Sequence, residues 1–301
     1  MSESANIFNI ERHALHDGPG IRTLVFIQGC ALRCRWCSNP EGLEDKPALM
    51  YNKKLCHACF DCIPVCPKEA LSKSEDGILV DRKKCDVCGL CTESCFYDAL
   101  TVAGRRMTTD EVLDVVLRDI AFYATSGGGI TLSGGEPTVH PAFSAELLKK
   151  CRECGVGTAI ETCGHAEPED FAAVAIHTDI FLFDIKHVDD EKHRAFTGAG
   201  CENIRVNYRF AASLGRPIIV RIPVIPGLND TPEELAAIAY FALSEGGAEM
   251  VHLLPYHCLG MPKYQALDME YPMGGQQGMS MEKARELLSA FDGRIKAKIE
   301  V

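Results

Sequence analysis

The 301-residue sequence predicts an α/β protein, a partial (β/α)6 TIM-like barrel with a small cysteine-rich domain inserted near its N-terminus. Two observations support this fold class. Short apolar runs rich in β-branched residues alternate with helical segments, which favours parallel strands joined by helices. The 16 cysteines are unevenly spread, with eleven of them between Cys30 and Cys95. A chain of this length can hold one large α/β domain with an insertion.

Six segments carry the pattern of a buried parallel strand. They are RTLVFIQ (22–28), GITLSG (129–134), GTAIETC (157–163), DIFLFDIK (179–186), PIIVRIPVI (217–225) and MVHLLPY (250–256). Helices are predicted at 108–123, 141–154 and 231–243, the last opening with Thr231, Pro232 and Glu234 in the pattern of a capping box. Six βα units in sequence favour a barrel, complete or partial, over a sandwich. Unusual polar residues lie near the carboxyl ends of these strands, where barrels and open α/β sheets build active sites.

An internal repeat of 29 residues marks the insertion. Four cysteines recur at this offset, and Ala70-Leu71 recurs as Ala99-Leu100. Each run, Cys-x2-Cys-x2-Cys-x3-Cys, fits a 4Fe–4S ferredoxin, in which the fourth cysteine crosses to the other cluster. The predicted ligand sets are therefore Cys56, Cys59, Cys62 and Cys95 for one cluster, and Cys85, Cys88, Cys91 and Cys66 for the other.

We accordingly expect a ferredoxin-like domain with two 4Fe–4S clusters at 46–104, flanked by barrel parts at 1–45 and 105–301. One position departs from the usual run, because Phe96 follows Cys95 where Pro67 follows Cys66. This change removes no ligand. A pair of structural zinc sites is the alternative interpretation.

A separate group of three cysteines, Cys30, Cys34 and Cys37, lies in QGCALRCRWCSNPEG (28–42) and does not follow that register. Three thiolates can hold three irons of a cubane and leave the fourth iron open. An open metal position is typical of a reactive site. The alternative is a zinc site completed by a distant His or Cys.

The pattern Cys-x3-Cys-x-aromatic-Cys, with Trp36 as the aromatic residue, resembles the signature of the radical S-adenosylmethionine (SAM) enzymes. HDGPGIRTLVFIQGC (16–30) is similar to the opening of the glycyl radical enzyme activating enzymes, typified by the pyruvate formate-lyase activating enzyme. The resemblance covers nearly the whole chain, including an insertion that many members carry. It implies an oxidoreductase with three 4Fe–4S clusters, in which the methionyl amino and carboxylate groups of SAM chelate the open iron.

The resemblance also implies which residues form the cofactor pocket. SGGEP (133–137) is expected near the SAM amino group, and the residues at later strand ends near its carboxylate, ribose and adenosyl parts. The implied residues are Trp36, Gly134, Gly135 and Glu136, Glu161 and Thr162, Asp184 and Lys186, Arg221, and His257. Glu161 and Thr162 correspond to a monovalent-cation site, although Glu161 is longer than the Asp of the pyruvate formate-lyase activator and changes the cage. The alternatives are a plain turn at Gly-Gly-Glu, a surface lysine at Lys186 and a structural ion pair at Arg221.

The implied function is radical generation directed at another protein. Reductive cleavage of SAM yields a 5′-deoxyadenosyl radical, which removes a hydrogen atom from the Cα of a glycine in a partner glycyl radical enzyme. Asp17, in the DGPG turn, is implied to meet the backbone of the partner's glycine loop. An electron donor such as flavodoxin or ferredoxin is a further expected partner. The rival hypotheses are a radical SAM enzyme acting on a small molecule and a non-catalytic iron–sulfur electron carrier.

Charge and hydropathy exclude other classes. The net charge of −11 argues against a general nucleic-acid surface, which needs a basic excess. No apolar run reaches the length of a membrane span, and the first residues lack the order of a signal peptide. We expect a cytoplasmic protein that binds neither nucleic acid nor membrane.

Overall fold

The computed structural model describes residues 2–248, 250–289, 291 and 296–300. Its strands are β1 (Ser4–Ala14), β2 (Arg22–Ile27), β3 (Ala48–Tyr51), β4 (Leu71–Ser74), β5 (Gly77–Val80), β6 (Leu100–Ala103), β7 (Arg105–Thr108), β8 (Gly129–Gly134), β9 (Gly157–Thr162), β10 (Ile180–Asp184), β11 (Ile218–Val224), β12 (Met250–Pro255) and β13 (Ala297–Ile299). Its helices are α1 (Leu90–Glu93), α2 (Thr109–Val116), α3 (Ile120–Ser126), α4 (Pro141–Glu153), α5 (Pro168–Ala175), α6 (Asp190–Thr197), α7 (Glu202–Ser213), α8 (Pro232–Gly246), α9 (Met261–Ala266) and α10 (Met281–Ser289).

A mixed sheet of nine strands forms the body of the protein, in the order β13-β12-β11-β10-β9-β8-β2-β1-β7. From β2 to β13 the neighbouring strands run parallel and follow chain order around the insertion. The six predicted strands are confirmed. Sequence patterns missed β1, β7 and β13. The first two pair antiparallel beside β2 and cover an edge that would otherwise expose unpaired backbone groups.

Helices α2, α4, α5, α7 and α8 pack against one another in that order and against the sheet. The core between them is rich in aromatic side chains, and it includes Phe143, Phe171, Phe181, Phe183 and Tyr208, each at most 2% exposed. This packing buries the middle of the parallel strands. It leaves their carboxyl ends to carry polar residues.

The helix predicted at 108–123 is interrupted by a 3₁₀ turn, Leu117–Asp119, between α2 and α3. The break coincides with the Asp119 carboxylate, which is fully buried. Arg12 Nε donates to it at 2.8 Å and Thr23 Oγ1 at 3.0 Å. A buried carboxylate needs such partners, and the turn aims it at them.

The capping box predicted for the helix after 231 is only half formed. Thr231 Oγ1 accepts a hydrogen bond from Glu234 N at 3.3 Å, as predicted. The Glu234 side chain does not return to the cap, because it pairs with His187 at 2.8 Å and with Lys192. A reciprocal capping box occurs at α2 instead, between Thr108 and Glu111.

Residues 48–103 form two separate two-stranded sheets, β3–β6 and β4–β5, with a small core of their own. The 29-residue repeat extends to the backbone, because three left-handed residues recur at that offset. The pairs and their φ angles are Ala58 and Val87 (51° and 57°), Phe60 and Gly89 (66° and 85°), and Glu69 and Asp98 (49° and 52°). Valine rarely adopts this conformation, so tertiary packing imposes it there. The predicted domain boundaries remain a prediction.

None of the helices in the described part of the chain combines the length and hydropathy that a membrane span requires.

Candidate functional site

A cavity of about 280 Å³ lies at the carboxyl ends of the parallel strands. Asp184 on β10 stands beside Arg221 on β11 in the strand register. Twelve of the predicted site residues line this cavity: Cys30, Cys34, Trp36, Cys37, Gly134, Gly135, Glu161, Thr162, Asp184, Lys186, Arg221 and His257. Residues that are far apart in the chain meet here because parallel strands end at the same edge of a sheet. The volume is near the lower end of small-ligand pockets.

The loop that carries the three cysteines is held by backbone hydrogen bonds on both sides. Cys30 N donates to Leu43 O at 3.1 Å. From the other side, Arg33 N donates to Thr197 O at 2.7 Å and Arg35 N to Phe196 O at 3.1 Å, at the end of α6. The loop is therefore fixed to the main α/β body, and its thiols face the cavity.

The thiols of this loop are protonated at neutral pH when no metal is bound. Burial raises the pKa of Cys30 to about 11 and that of Cys34 to about 12, and it also raises the pKa of Cys37. The positive charge of Lys186 opposes this shift at all three thiols. Binding of a metal by these thiolates would therefore release protons, and Lys186 favours that release.

A buried ionic network forms the far wall of the cavity. Arg221 Nε donates to Asp184 Oδ1 at 2.7 Å, and Arg221 Nη1 pairs with Glu161. Lys186 Nζ lies 3.5 Å from Asp184 Oδ2, and Ser133 donates to the second oxygen of Glu161. Lys186 is only 11% exposed, so it is not a surface lysine. Arg221 lines the cavity, as the family resemblance implies, and it also forms a structural ion pair, which was the alternative interpretation of this residue.

The charges in this network support one another. Burial alone disfavours the charged form of Lys186 and of Arg221, but neighbouring groups outweigh it, and both pKa values are raised. These groups are Asp184 and the sulfurs of Cys34, Cys163 and Cys30 for Lys186, and Asp184 and Glu161 for Arg221. For Asp184, burial is likewise outweighed, by Arg221 and Lys186, and its pKa is lowered. The cavity therefore keeps two cations and an ionised Asp184 in a buried environment.

Glu136 does not line the cavity. Its carboxylate is buried and accepts hydrogen bonds from Thr138 Oγ1 at 2.7 Å, Thr162 Oγ1 at 2.7 Å and Cys163 N at 2.8 Å. These contacts tie the end of β8 to the end of β9. In the Gly-Gly-Glu segment, the two glycines face the cavity and the glutamate holds them in position.

Asp17 lies next to the ionic network. Burial and the nearby Glu161 carboxylate raise the pKa of Asp17 to about 7. Its loop is anchored by Arg22, which is 1% exposed and donates to Thr131 Oγ1 at 2.6 Å and to Pro19 O at 3.2 Å. Thr131 Oγ1 in turn donates to Asp17 O at 2.8 Å. The arginine of the DGPGIR stretch therefore positions Asp17.

The eight cysteines of the repeat surround two further cavities. The Cys59 cavity is bordered by Cys56, Cys59, Cys62 and Cys95. The Cys88 cavity is bordered by Cys66, Cys85, Cys88 and Cys91. In the part of the chain that the structure describes, no three His, Cys, Asp or Glu side chains converge closely enough to hold one metal ion. The cysteines thus surround a space instead of meeting at a point.

Sequence reasoning missed several residues of the site. Ser133 binds Glu161, and Cys163 lines the cavity and donates its Sγ–H to Glu136 at 3.0 Å. Both adjoin predicted residues at strand ends, which is a signal that could have found them. Lys263, which binds Asn39 at 2.8 Å and Glu41 at 2.6 Å beside the three-cysteine loop, has no such signal.

Similarity to known proteins shows the class to which this chain belongs. The model of the Radical SAM superfamily matches residues 24–239, which defines a radical SAM protein. The isethionate sulfite-lyase activating enzyme of Oleidesulfovibrio alaskensis is 47% identical over 277 residues, covering 89% of this chain and 88% of the relative. The choline trimethylamine-lyase activating enzyme of the same organism is 37% identical over 301 residues, covering 97% of each. The chain belongs to the glycyl radical enzyme activating enzymes of the radical SAM superfamily.

A solved structure agrees at the level of the fold. The crystal structure of Streptococcus suis SuiB bound to precursor peptide SuiA covers 90% of this chain and 46% of that chain, with a TM-score of 0.54 and 12% identity. This likeness concerns the arrangement of the elements alone.

Proposed function

We propose that this activating enzyme binds SAM in the cavity beside Cys30, Cys34 and Cys37 and directs radical chemistry at a glycine of a partner glycyl radical enzyme. One observation carries the proposal: three thiols line the same cavity as the buried cation Lys186. Three thiolates suit a cubane with one open iron, and a nearby cation suits an anionic carboxylate. When bound, the reduced cluster and SAM supply a 5′-deoxyadenosyl radical that takes a hydrogen atom from the glycine Cα.

The chain's own residues bind and orient the cofactor. Gly134 and Gly135 allow close backbone approach, which suits the SAM amino group. Lys186 and Arg221 supply positive charge for the carboxylate and ribose end. His257, at the rim of the cavity, and Trp36 offer ring surfaces for the adenosyl part. No general base or side-chain nucleophile is required.

As part of this proposal, the α/β fold is a partial (β/α)6 barrel with an inserted two-cluster ferredoxin-like domain at 46–104. The parallel strands in chain order support the barrel, and the separate small sheets of residues 48–103 support the insertion. Each of the Cys59 and Cys88 cavities suits a 4Fe–4S cluster, because its four cysteines form one of the crossed ligand sets. With the three-cysteine site, this makes three clusters.

The two cysteine sets of the insertion would hold two of these clusters, and clusters bound there would supply electrons to the three-cysteine site. Ferredoxin-type centres at roughly −400 mV suit a low-potential transfer chain. An external donor such as flavodoxin or ferredoxin supplies the electrons. If a folded variant lacking all eight repeat cysteines cleaved SAM at the full rate with such a donor, the relay would be refuted, and a structural or docking role would remain.

Asp17 contacts the partner's glycine loop. Its position next to Glu161, which lines the cavity, supports this role, because the target glycine must come within contact distance of the radical. A monovalent cation at Glu161 and Thr162 is a further prediction. At Glu161 the cation competes with Arg221 and Ser133, which already bind the two carboxylate oxygens.

Electron paramagnetic resonance under anaerobic conditions tests the function. The reconstituted chain is mixed with SAM, a reductant and a partner, with isethionate sulfite-lyase and choline trimethylamine-lyase as separate arms. A glycyl signal in either arm, absent with Cys34→Ala, is the expected result. 5′-Deoxyadenosine formation that depends on a metabolite, without a glycyl signal, would favour a small-molecule enzyme. Absence of SAM cleavage would indicate an electron carrier.

A further inference from the structure

We propose an order for the electron relay, which rests on the proposed function. The cluster of the Cys59 cavity receives the electron first, and the cluster of the Cys88 cavity passes it to the three-cysteine cluster. The two cavities are related by the sequence repeat, but their surroundings differ. Three observations on residues outside the cysteine ligands determine the order.

The first observation is the position of the cavities along strand β3. In the β3–β6 pair, Ala48 lies opposite Ala103 and Tyr51 lies opposite Leu100. The Ala103 end adjoins the main sheet, because β7 follows after Gly104, whose backbone packs on the Gln28 side chain.

Leu49 borders the Cys88 cavity, whereas Tyr51 and Leu100 border the Cys59 cavity. Two residues along a strand span about 7 Å. The wall of the Cys88 cavity therefore lies closer to the main sheet and to the three-cysteine loop that follows Gln28.

The second observation is helix α9, which lies between the three-cysteine loop and β3. A Cβ on Gly260, just before the helix, would come within 2.9 Å of Cys37 O, so the backbones are in contact there. Within the helix, Lys263 binds Asn39 and Glu41 in the same loop. The helix also packs against β3. One short helix thus separates Cys37 from the strand that borders the Cys88 cavity.

The third observation is a clamp on one copy of the repeat. Arg82, three residues before Cys85, donates to Ala266 O at 2.9 Å and to Asp268 Oδ2 at 2.8 Å, and it also binds Leu49 O. Its equivalent at the 29-residue offset is Lys53. Lys53 pairs instead with Asp76, at 2.9 Å, inside the insertion.

Arg82 therefore holds the loop of the Cys88 cavity against the end of α9. Its equivalent near the Cys59 cavity, Lys53, faces solvent. The outward side of the Cys59 cavity carries aromatic residues that a donor protein can reach. Phe96, next to Cys95, is 91% exposed, and Tyr97 stacks on His57 at 3.9 Å between ring centroids.

The transfer step moves one electron and no atom. A low-potential one-electron carrier, of the iron–sulfur or flavin class, reduces the cluster of the Cys59 cavity. That cluster is reoxidised as it reduces the cluster of the Cys88 cavity, which is reoxidised in turn as it reduces the three-cysteine cluster. The donor loses one electron, the three-cysteine cluster gains it, and the two centres between them each gain and lose one, so the sequence balances.

Matched double variants test the order. Cys85→Ala with Cys88→Ala removes two ligands of one cluster, and Cys56→Ala with Cys59→Ala removes the equivalent two of the other. The signal of the three-cysteine cluster is identified by its change on SAM addition, and its electron spin relaxation is measured in the fully reduced chain. Loss of the nearer paramagnetic neighbour slows this relaxation. We expect at least a threefold slowing in the Cys85/Cys88 variant and little change in the Cys56/Cys59 variant.

Equal slowing in both variants, or the reverse pattern, overturns the order. Wild-type chain whose iron content or spectra show no clusters in the insertion overturns the relay as a whole, and wild-type chain that does not cleave SAM overturns the proposed function, so these failures are distinguishable from a wrong order. Arg82→Gln and Lys53→Gln form a second matched pair that keeps every cysteine. We expect reduction of the three-cysteine cluster by a protein donor to slow severalfold in Arg82→Gln only, and equal rates in the two variants would contradict the proposal.

Discussion

Replacing Arg221 with Met is expected to destabilise the fold strongly. Arg221 pairs with Glu161 and with Asp184, and the three side chains are 11%, 11% and 21% exposed. Methionine keeps most of the volume but leaves two buried carboxylates facing each other. Only Lys186, 3.5 Å from Asp184, remains to balance them. Removing one partner of a buried ion pair costs roughly 3–5 kcal/mol, and we expect about 4 kcal/mol here.

Thermal unfolding followed by circular dichroism, at one scan rate and equal iron content, measures this loss. At about 2 °C per kcal/mol for a chain of this size, Tm should fall by about 8 °C. Arg209→Met is the matched control, because Arg209 binds Glu245 at 2.6 Å but is 51% exposed. Solvent screens an exposed pair, so it contributes little to stability, and Tm should change far less than in Arg221→Met.

A rescue variant separates charge from packing. Adding Glu161→Gln and Asp184→Asn to Arg221→Met removes the uncompensated charges, and more than half of the lost Tm should return. If Arg221→Met is no less stable than Arg209→Met, or if the rescue restores nothing, the argument from buried charge is refuted.

Three further changes test other parts of the structure. Asp17 has a folded pKa of about 7 against an ordinary 3.8, so between these values it holds a proton that the unfolded chain releases, and its contribution to stability is lost as pH rises from about 4 to 7. Asp17→Asn should therefore flatten the dependence of Tm on pH. The same variant should slow glycyl radical formation while SAM affinity stays nearly constant, whereas equal loss of both would contradict the role of Asp17. Gly135→Ala would put a Cβ 2.2 Å from Gly29 O and displace the three-cysteine loop, so SAM should no longer change the cluster spectrum, whereas Gly275→Ala, in open space, should leave the effect intact. Thr231→Ala removes the N-cap of α8 and should cost about 1 kcal/mol in urea unfolding, and a loss near zero would show that the cap contributes nothing.

Local patterns in the sequence identified most of what this protein does. The cysteine patterns are properties of short segments, because neighbouring ligands of one cluster lie on one loop. This holds for the spacing of Cys30, Cys34 and Cys37 and for the two runs of four cysteines in the insertion. The six parallel strands were also readable, because each is buried on both faces and therefore apolar throughout. The family resemblance of the DGPGIR and Gly-Gly-Glu segments then indicated the class of reaction.

Sequence patterns failed to predict strands β1 and β7 for the same reason. β1 alternates exposed and buried residues unevenly, and β7 is four residues long with two arginines. β7 is an edge strand of the sheet, and it pairs with β1 only at residues 4–7. A strand, or part of a strand, at an edge carries such polar side chains because one side meets solvent. Their assignment therefore depends on the neighbouring strand that they cover.

Only the tertiary structure decided how the charged residues of the site are partnered. Glu161, Asp184 and Arg221 lie on three different strands, and their contact depends on the register between those strands. The inward turn of Glu136, the hydrogen bond from Thr131 to Asp17 and the clamp of Arg82 on α9 likewise join residues that no local pattern connects. The sequence by itself determined which chemical groups this protein possesses. The fold determined which of them are buried together and therefore which are charged, because a neighbour's charge acts over a few ångströms of space and not along the chain.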